Sequence, residues 1–159
     1  MSQSVWRIAA DTPDYTADDL TGEGAKRTGG RWNRPGLPVL YTSQTRALAC
    51  LETFVHLKAA SLPLNRYLVR LDIPDDVWRG AKQLALEDLP VGWDAEPAGK
   101  ISLDLGSDWI SGGASCLLIV PSVIVPEEQN VLISPQHKDH VRVTATKIRR
   151  WLYDPRLGS

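Results

Sequence analysis

Apolar positions in this chain alternate near its start, recur at helical spacing in one segment soon after, and alternate again toward its end. Residues 4–10 (SVWRIAA) are rich in strand formers and predict a short strand, with Arg7 facing opposite to Trp6 and Ile8. Residues 37–43 (LPVLYTS) read as a buried strand. Ser43 is placed to cap a helix over 45–60, where Leu48, Leu51, Phe54 and Val55 repeat with helical period. RYLVRLDIP (66–74) predicts another strand, closed by Pro74. Residues 75–100, broken by Pro90, Gly92, Pro97 and Gly99, read as loop with short helical turns. A helix over 102–113 runs through Trp109 and ends at Gly112–Gly113. The run 115–126 gives a strand to Val120 and then an irregular extended stretch. Residues 130–135 form a short strand, and 141–155 a terminal one.

This order is not the regular strand–helix alternation of a doubly wound parallel sheet. It predicts an α+β fold, a mixed and largely antiparallel sheet with one or two packed helices. Residues 11–36 stand apart, with five glycines, one proline and few aliphatics over TADDLTGEGAKRTGGRWNRPG. They read as a long ordered loop carrying Arg27, Arg31, Trp32 and Arg34. Flexible backbone N–H groups beside three arginines suit a phosphate grip; a surface loop with solvated arginines is the alternative. The segment is neither a dinucleotide fingerprint nor a P-loop, because strand, helix and the GK[ST] ending are missing.

Composition narrows the class. At 159 residues, with 43% hydrophobic and 23% charged positions, the chain suits one domain over 1–159 with a core of its own. A formal charge of −1, from 18 basic and 19 acidic residues, lacks the basic surplus expected of a protein that binds nucleic-acid phosphates directly. Cys50 and Cys116 lie inside apolar runs and read as buried small hydrophobes in a reducing compartment. The start carries no secretory pattern and no segment is long enough to span a bilayer, so the expected compartment is the cytoplasm. The six tryptophans, against one phenylalanine, are scattered and read mostly as core or rim residues.

Glu52 and His56, four residues apart, share a helix stripe flanked by Leu48 and Val55, about 40° apart. A carboxylate among apolar neighbours is costly unless paired or useful. Glu52 therefore either pairs with His56 or an arginine at the edge of the packed face, or serves chemistry. Tyr41, ending a strand just before this helix, is a core, rim or site residue. No HExxH or CxxC occurs and the three histidines are dispersed, so no metal site is expected. The absence of GxSxG argues against a serine hydrolase.

Two segments, GGRWNRPGLPVLYTSQTRALACLETFVHL and GASCLLIVPSVIVPEEQNVLISPQH, closely resemble the RES-domain family, toxins of bacterial toxin–antitoxin pairs named for an Arg, a Glu and a Ser. The likeness runs from Trp6–Arg7 to beyond NVLISPQH. It places the family's arginine on Arg31, its glutamate on Glu52, its serine on Ser122 and a further active-site position on Tyr41. It implies a split mixed sheet like that of mono-ADP-ribosyltransferases, clasping NAD in a cleft.

The implied reaction is attack on the nicotinamide–ribose bond, with NAD as substrate. Glu52 then faces the cationic ribose, Arg31 holds the pyrophosphate or adjoining ribose, and Tyr41 stacks on nicotinamide or orients the ribose. Ser122 hydrogen-bonds the cofactor, with Arg7, Gly29 and Gly30 lining the cleft. The implied partner is a helical Xre-type antitoxin that covers the active site, nucleic acid being met only through its DNA-binding part. Glu127–Glu128 lacks the ExE spacing of arginine-modifying transferases, which mildly favours water or phosphate as acceptor (NAD glycohydrolase or phosphorylase). Mono-ADP-ribosylation of a host protein, and a non-catalytic nucleotide- or partner-binding module, are the alternatives.

Overall fold

Strand formers at the N-terminus build β1 (Ser2–Ala10), which lies antiparallel to β3 (Arg66–Pro74) over nine consecutive register pairs, Ser2 opposite Pro74 through Ala10 opposite Arg66. The computed structural model describes residues 1–57 and 62–158. The other strands are β2 (Leu40–Ser43), β4 (Lys82–Gln83), β5 (Leu117–Pro121), β6 (Gln129–Ile133) and β7 (Thr144–Arg150). They form one sheet in the order β4-β5-β6-β2-β1-β3-β7, antiparallel except for β4 against β5. With helices α1 (Glu23–Thr28), α2 (Arg46–Phe54), α3 (Asp75–Arg79) and α4 (Lys100–Gly112), this is the expected α+β class.

The sheet is split at its middle. Among the described residues β1 and β2 pair only at Trp6 opposite Ser43, whereas β2 pairs with β6 along its whole length. Continuing the register would set Arg7 against Thr42 and Ile8 against Tyr41. Those four residues instead line a cavity of about 790 Å³ between the two leaves.

Apolar side chains cover both faces. Val5, Val69, Leu71, Ile73, Leu117 and Ile133 close one face beneath Val77 of α3. Leu118, Val120 and Leu132 meet Trp109 and Ile110 of α4 on the other, together with Trp32 and Trp93. Since β5 is buried on both faces it reads as an unbroken apolar run rather than an alternating one. Helix α2 buries Ala49 against Ile8, Leu68 and Tyr153.

Several local expectations are corrected. The segment 11–36 is not all loop: it holds α1, bounded by Gly22 and Gly29 at φ 72° and 71°, a conformation glycine adopts without strain. This helix buries no residue, so it has no apolar stripe to betray it. Helix α2 is capped by Thr45, whose hydroxyl accepts from the Leu48 N–H, while Ser43 stays in the strand. The helix ends at Phe54, and residues 58–60 of its predicted span lie outside the described ones. Strand β4 was not foreseen, being two exposed residues. The terminal strand begins only at Thr144, after a 3₁₀ turn over Lys138–Arg142, and stops at Arg150. Cys116 is buried, Cys50 only half-buried, and both are free thiols.

Candidate active site

Helix α2 carries Glu52 toward the cleft, and its carboxylate is held on both oxygens. Oε1 accepts from the Ser122 hydroxyl at 3.0 Å and Oε2 from Asn130 Nδ2 at 2.9 Å. The partners are thus neutral donors from the β5–β6 side of the sheet, not His56 or an arginine as helix spacing alone allowed. His56 also lines the cavity, just past the helix end. Ser122 is fully buried, and its oxygen further accepts from the N–H groups of Ile124 and Val125, both at 3.1 Å. With its one proton directed to Glu52 and no exposure to the cavity, Ser122 braces the carboxylate from behind.

Tyr41 closes the other side. Its hydroxyl accepts from the Trp32 N–H at 3.0 Å and donates to Asn33 Oδ1 at 2.6 Å. Asn33, fully buried, in turn donates to the carbonyls of Ala25 and Leu37. Burial pushes the Tyr41 phenol far up, so it stays protonated. Gly30 lies so close that a Cβ there would sit 2.7 Å from the Tyr41 hydroxyl, which is the physical reason for glycine at this position. Asn33 was missed by sequence reading; its signal was an amide inside a glycine-rich loop that needed internal hydrogen bonds to stay ordered.

Of the three loop arginines only Arg31 lines the cavity. Arg27 pairs with Asp14 and Glu23, and Arg34 with Asp104. Arg31 donates to the carbonyls of Trp93 and Ala95 at 3.3 and 2.8 Å and pairs with Glu96 at 2.8 Å. Its side chain is 17% exposed and that of Glu96 75%, so the guanidinium belongs to the wall and the carboxylate to the solvent-facing rim. Trp32 stacks on Trp93, fastening the same two segments together.

Arg7 is differently placed. Half-buried on β1 and lining the cleft, it makes one long hydrogen bond, Nη1 to the Asp19 carbonyl at 3.5 Å, among the described residues. Burial lowers its pKa, with Asp19 and Tyr15 opposing. A guanidinium stays charged even so, and most of its five donors are uncommitted. The cavity therefore brings together Glu52, Tyr41, Arg31, Gly30 and Arg7, with Ser122 one step behind and Asn130 added.

Comparison with known proteins places the chain in a family. The RES domain profile matches residues 4–154. The "Prs ADP-ribosylating toxin" of Sphingobium sp. (strain YBL2) is 56% identical over 157 residues, covering 99% of this chain and 98% of its own. "Toxin Res" of Yersinia enterocolitica is 35% identical over 144 residues, 90% of this chain and 93% of its own. The "NAD(+) phosphorylase MbcT" of Mycobacterium tuberculosis (strain ATCC 25618 / H37Rv) is 31% identical over 143 residues, 84% and 74% respectively. The crystal structure of the M. tuberculosis MbcT–MbcA toxin–antitoxin complex superposes with a TM-score of 0.62, covering 94% of this chain and 85% of that one at 18% identity, a likeness of fold.

Proposed function

The chain belongs to the RES-domain family, and from that premise we propose that it is a toxin that consumes NAD by breaking the nicotinamide–ribose bond. The observation that carries this is the Glu52 carboxylate, anchored on both oxygens in a cleft that also holds the cations of Arg7 and Arg31. A volume of about 790 Å³ lies within the range of ligand pockets, about 300–1,000 Å³.

In this reading the electron pair of the broken bond stays on the pyridinium nitrogen, and nicotinamide leaves neutral. The ribose is left with oxocarbenium character. Glu52, preorganised by its two donors, faces that cation and spends no reorganisation at the moment of scission. Arg7 has donors free for the pyrophosphate. Arg31 keeps two of its five N–H groups and shapes the same wall. The Tyr41 ring packs beside the nicotinamide ribose, and Ser122 serves Glu52 rather than touching NAD.

Phosphate as acceptor accords with the named activity of the mycobacterial relative, and water in its place gives the glycohydrolase form of the same reading. A second reading, transfer to a protein, is favoured by the name of the relative that shares 56% of its residues with this chain. An antitoxin completes the proposal, as a helical Xre-type protein seated over the cleft. The exposed apolar side chains of Val55 and Ile124 on the cavity wall support that placement. Among the described residues no helix is long and apolar enough to cross a membrane, and a cytoplasmic site of action is part of the same reading.

Incubating the purified protein with NAD and following nicotinamide by chromatography tests the shared step. The native protein releases nicotinamide, and Glu52→Gln lowers the rate by about 10²–10³ while leaving the circular dichroism unchanged. No release by the folded native protein, or a loss below tenfold in the variant, refutes the reading. Radiolabelled NAD added to a cell lysate then separates the acceptors, a labelled protein band against small products alone.

A further inference from the structure

Along the cleft wall, a short chain of hydrogen bonds links the junction of the two leaves to Glu52. Ser43 is the residue at which β2 meets β1, opposite Trp6, and on its other side it stands opposite Asn130 of β6. Its hydroxyl, nearly inaccessible, donates to Asn130 Oδ1 at 2.7 Å. Asn130 Nδ2 then donates to Glu52 Oε2 at 2.9 Å. The order matters. A hydroxyl that donates to Oδ1 fixes which end of the amide faces the helix, and with the amide reversed its carbonyl oxygen would confront a carboxylate oxygen.

The two holders of Glu52 are also not equivalent. Ser122 is fully buried and absent from the cavity wall, whereas Asn130 is part of that wall. Asn130 thus holds Oε2 from the cavity wall, and Ser122 holds Oε1 from behind it. We propose that Asn130 is a positioning residue for NAD cleavage: oriented by Ser43, it aims the Glu52 carboxylate at the ribose and ties that aim to the junction of the split sheet. The inference rests on the NAD-cleaving reading and extends it to two residues outside the arginine, tyrosine, glutamate and serine set.

The role is that of a donor at one point, and a substitution exists that turns this donor on and off. In Asn130→Asp, of nearly the same shape, a carboxyl group faces Glu52 at hydrogen-bond distance. Two carboxyl groups so close share one proton over part of the pH range. While the pair holds that proton, the introduced carboxyl donates to Glu52 as the amide does; with the proton gone, two negative charges repel and the carboxylate turns away. The other ionisable groups of the cavity wall, Arg7, Asp19, Arg31, His56 and Glu96 among them, are common to both proteins. The ratio of variant to native rate at each pH therefore cancels their titration.

The experiment is nicotinamide release at saturating NAD between about pH 5 and 9, for the native protein and for Asn130→Asp. The expected result is a kcat ratio within a few-fold of one at the acid end, falling by about tenfold or more toward the alkaline end. A ratio that is flat across the range overturns the proposal, because simple loss of packing does not titrate. Native release in the same experiment keeps the NAD-cleaving reading intact when the ratio is flat; native silence refutes that reading instead. Should Asn130→Asp fail to fold, Ser43→Ala decides. Several-fold lower kcat at unchanged KM supports the relay, and an unchanged kcat overturns it.

Discussion

Helix α4 approaches the glycine-rich segment so closely at Gly106 that the next carbon is excluded. A Cβ at Gly106 would lie 1.8 Å from the carbonyl oxygen of Trp32, 2.6 Å from its carbonyl carbon and 2.7 Å from its Cβ. Restoring even a tight contact of about 3 Å needs a shift of roughly 1.2 Å between backbone and backbone, with no flexible side chain to absorb it. Neither side is free to give. Ser102, Gly106, Trp109 and Ile110 belong to the buried face of α4. Trp32 is buried, held by the Tyr41 hydroxyl through its N–H and stacked on Trp93 through its ring.

Gly106→Ala gains about 1 kcal/mol of helix propensity and loses about 3 kcal/mol to overpacking, a net loss of about 2 kcal/mol. For a chain of this size that lowers Tm by about 4–8 °C. Arg31 and Tyr41 move with Trp32, and a displacement of about 1 Å at a catalytic wall costs on the order of 10² in rate. Urea unfolding by fluorescence and nicotinamide release measure the two effects on one preparation. Gly112→Ala, the last residue of the same helix with nothing within 4 Å of the added carbon, is the control: it loses no stability and keeps the native rate. A Gly106→Ala protein as stable and as active as the native one would refute the packing argument.

Tyr41→Phe leaves the buried Trp32 N–H and Asn33 Oδ1 without their partner and costs about 1–3 kcal/mol in urea unfolding. Because burial holds the Tyr41 pKa above its unfolded value of about 10, the stability this adds is fully present below that pH and is lost as pH rises past it, where the unfolded chain gives up the proton that the folded phenol keeps. The native protein therefore loses stability above about pH 10 more steeply than Tyr41→Phe, and parallel curves would contradict the assignment. Arg7→Ala raises KM for NAD by about tenfold or more, as expected when a charged hydrogen bond to phosphate is removed. Arg34→Ala, whose guanidinium is turned to Asp104, changes KM less than about twofold, and equal effects would remove Arg7 from the site. Burial and the nearby Asp139 push the Cys116 thiol up to about 11, so a thiol reagent at about pH 8 leaves Cys116 unmodified until the chain is unfolded. Rapid native labelling at Cys116, read by mass spectrometry, would count against that burial.

Much of this molecule follows from the sequence through short-range rules. Alternation in SVWRIAA and RYLVRLDIP leaves each segment one stable arrangement, a half-buried strand, and the two pair without a shift along nine residues. The paired glycines at 112–113 stop α4 where they stand, Gly113 supplying the left-handed turn. The resemblance in GGRWN…Y…LE..VH placed Arg31, Tyr41 and Glu52 in one site, and the cleft does gather them. What each residue touches was decided elsewhere. The partners of Glu52 are Ser122 and Asn130, 70 and 78 residues away, and no periodicity in the helix points to them. Arg31 and Arg7 exchange emphasis, because the loop folds Arg31 onto the carbonyls of Trp93 and Ala95 while the splitting of the sheet leaves Arg7 with open donors. Local pattern reports which side of an element is apolar, since burial acts on every residue alike. Hydrogen-bond partners are chosen by how separate elements meet, and only the assembled sheet, parted beyond Trp6 and Ser43, brings those elements together.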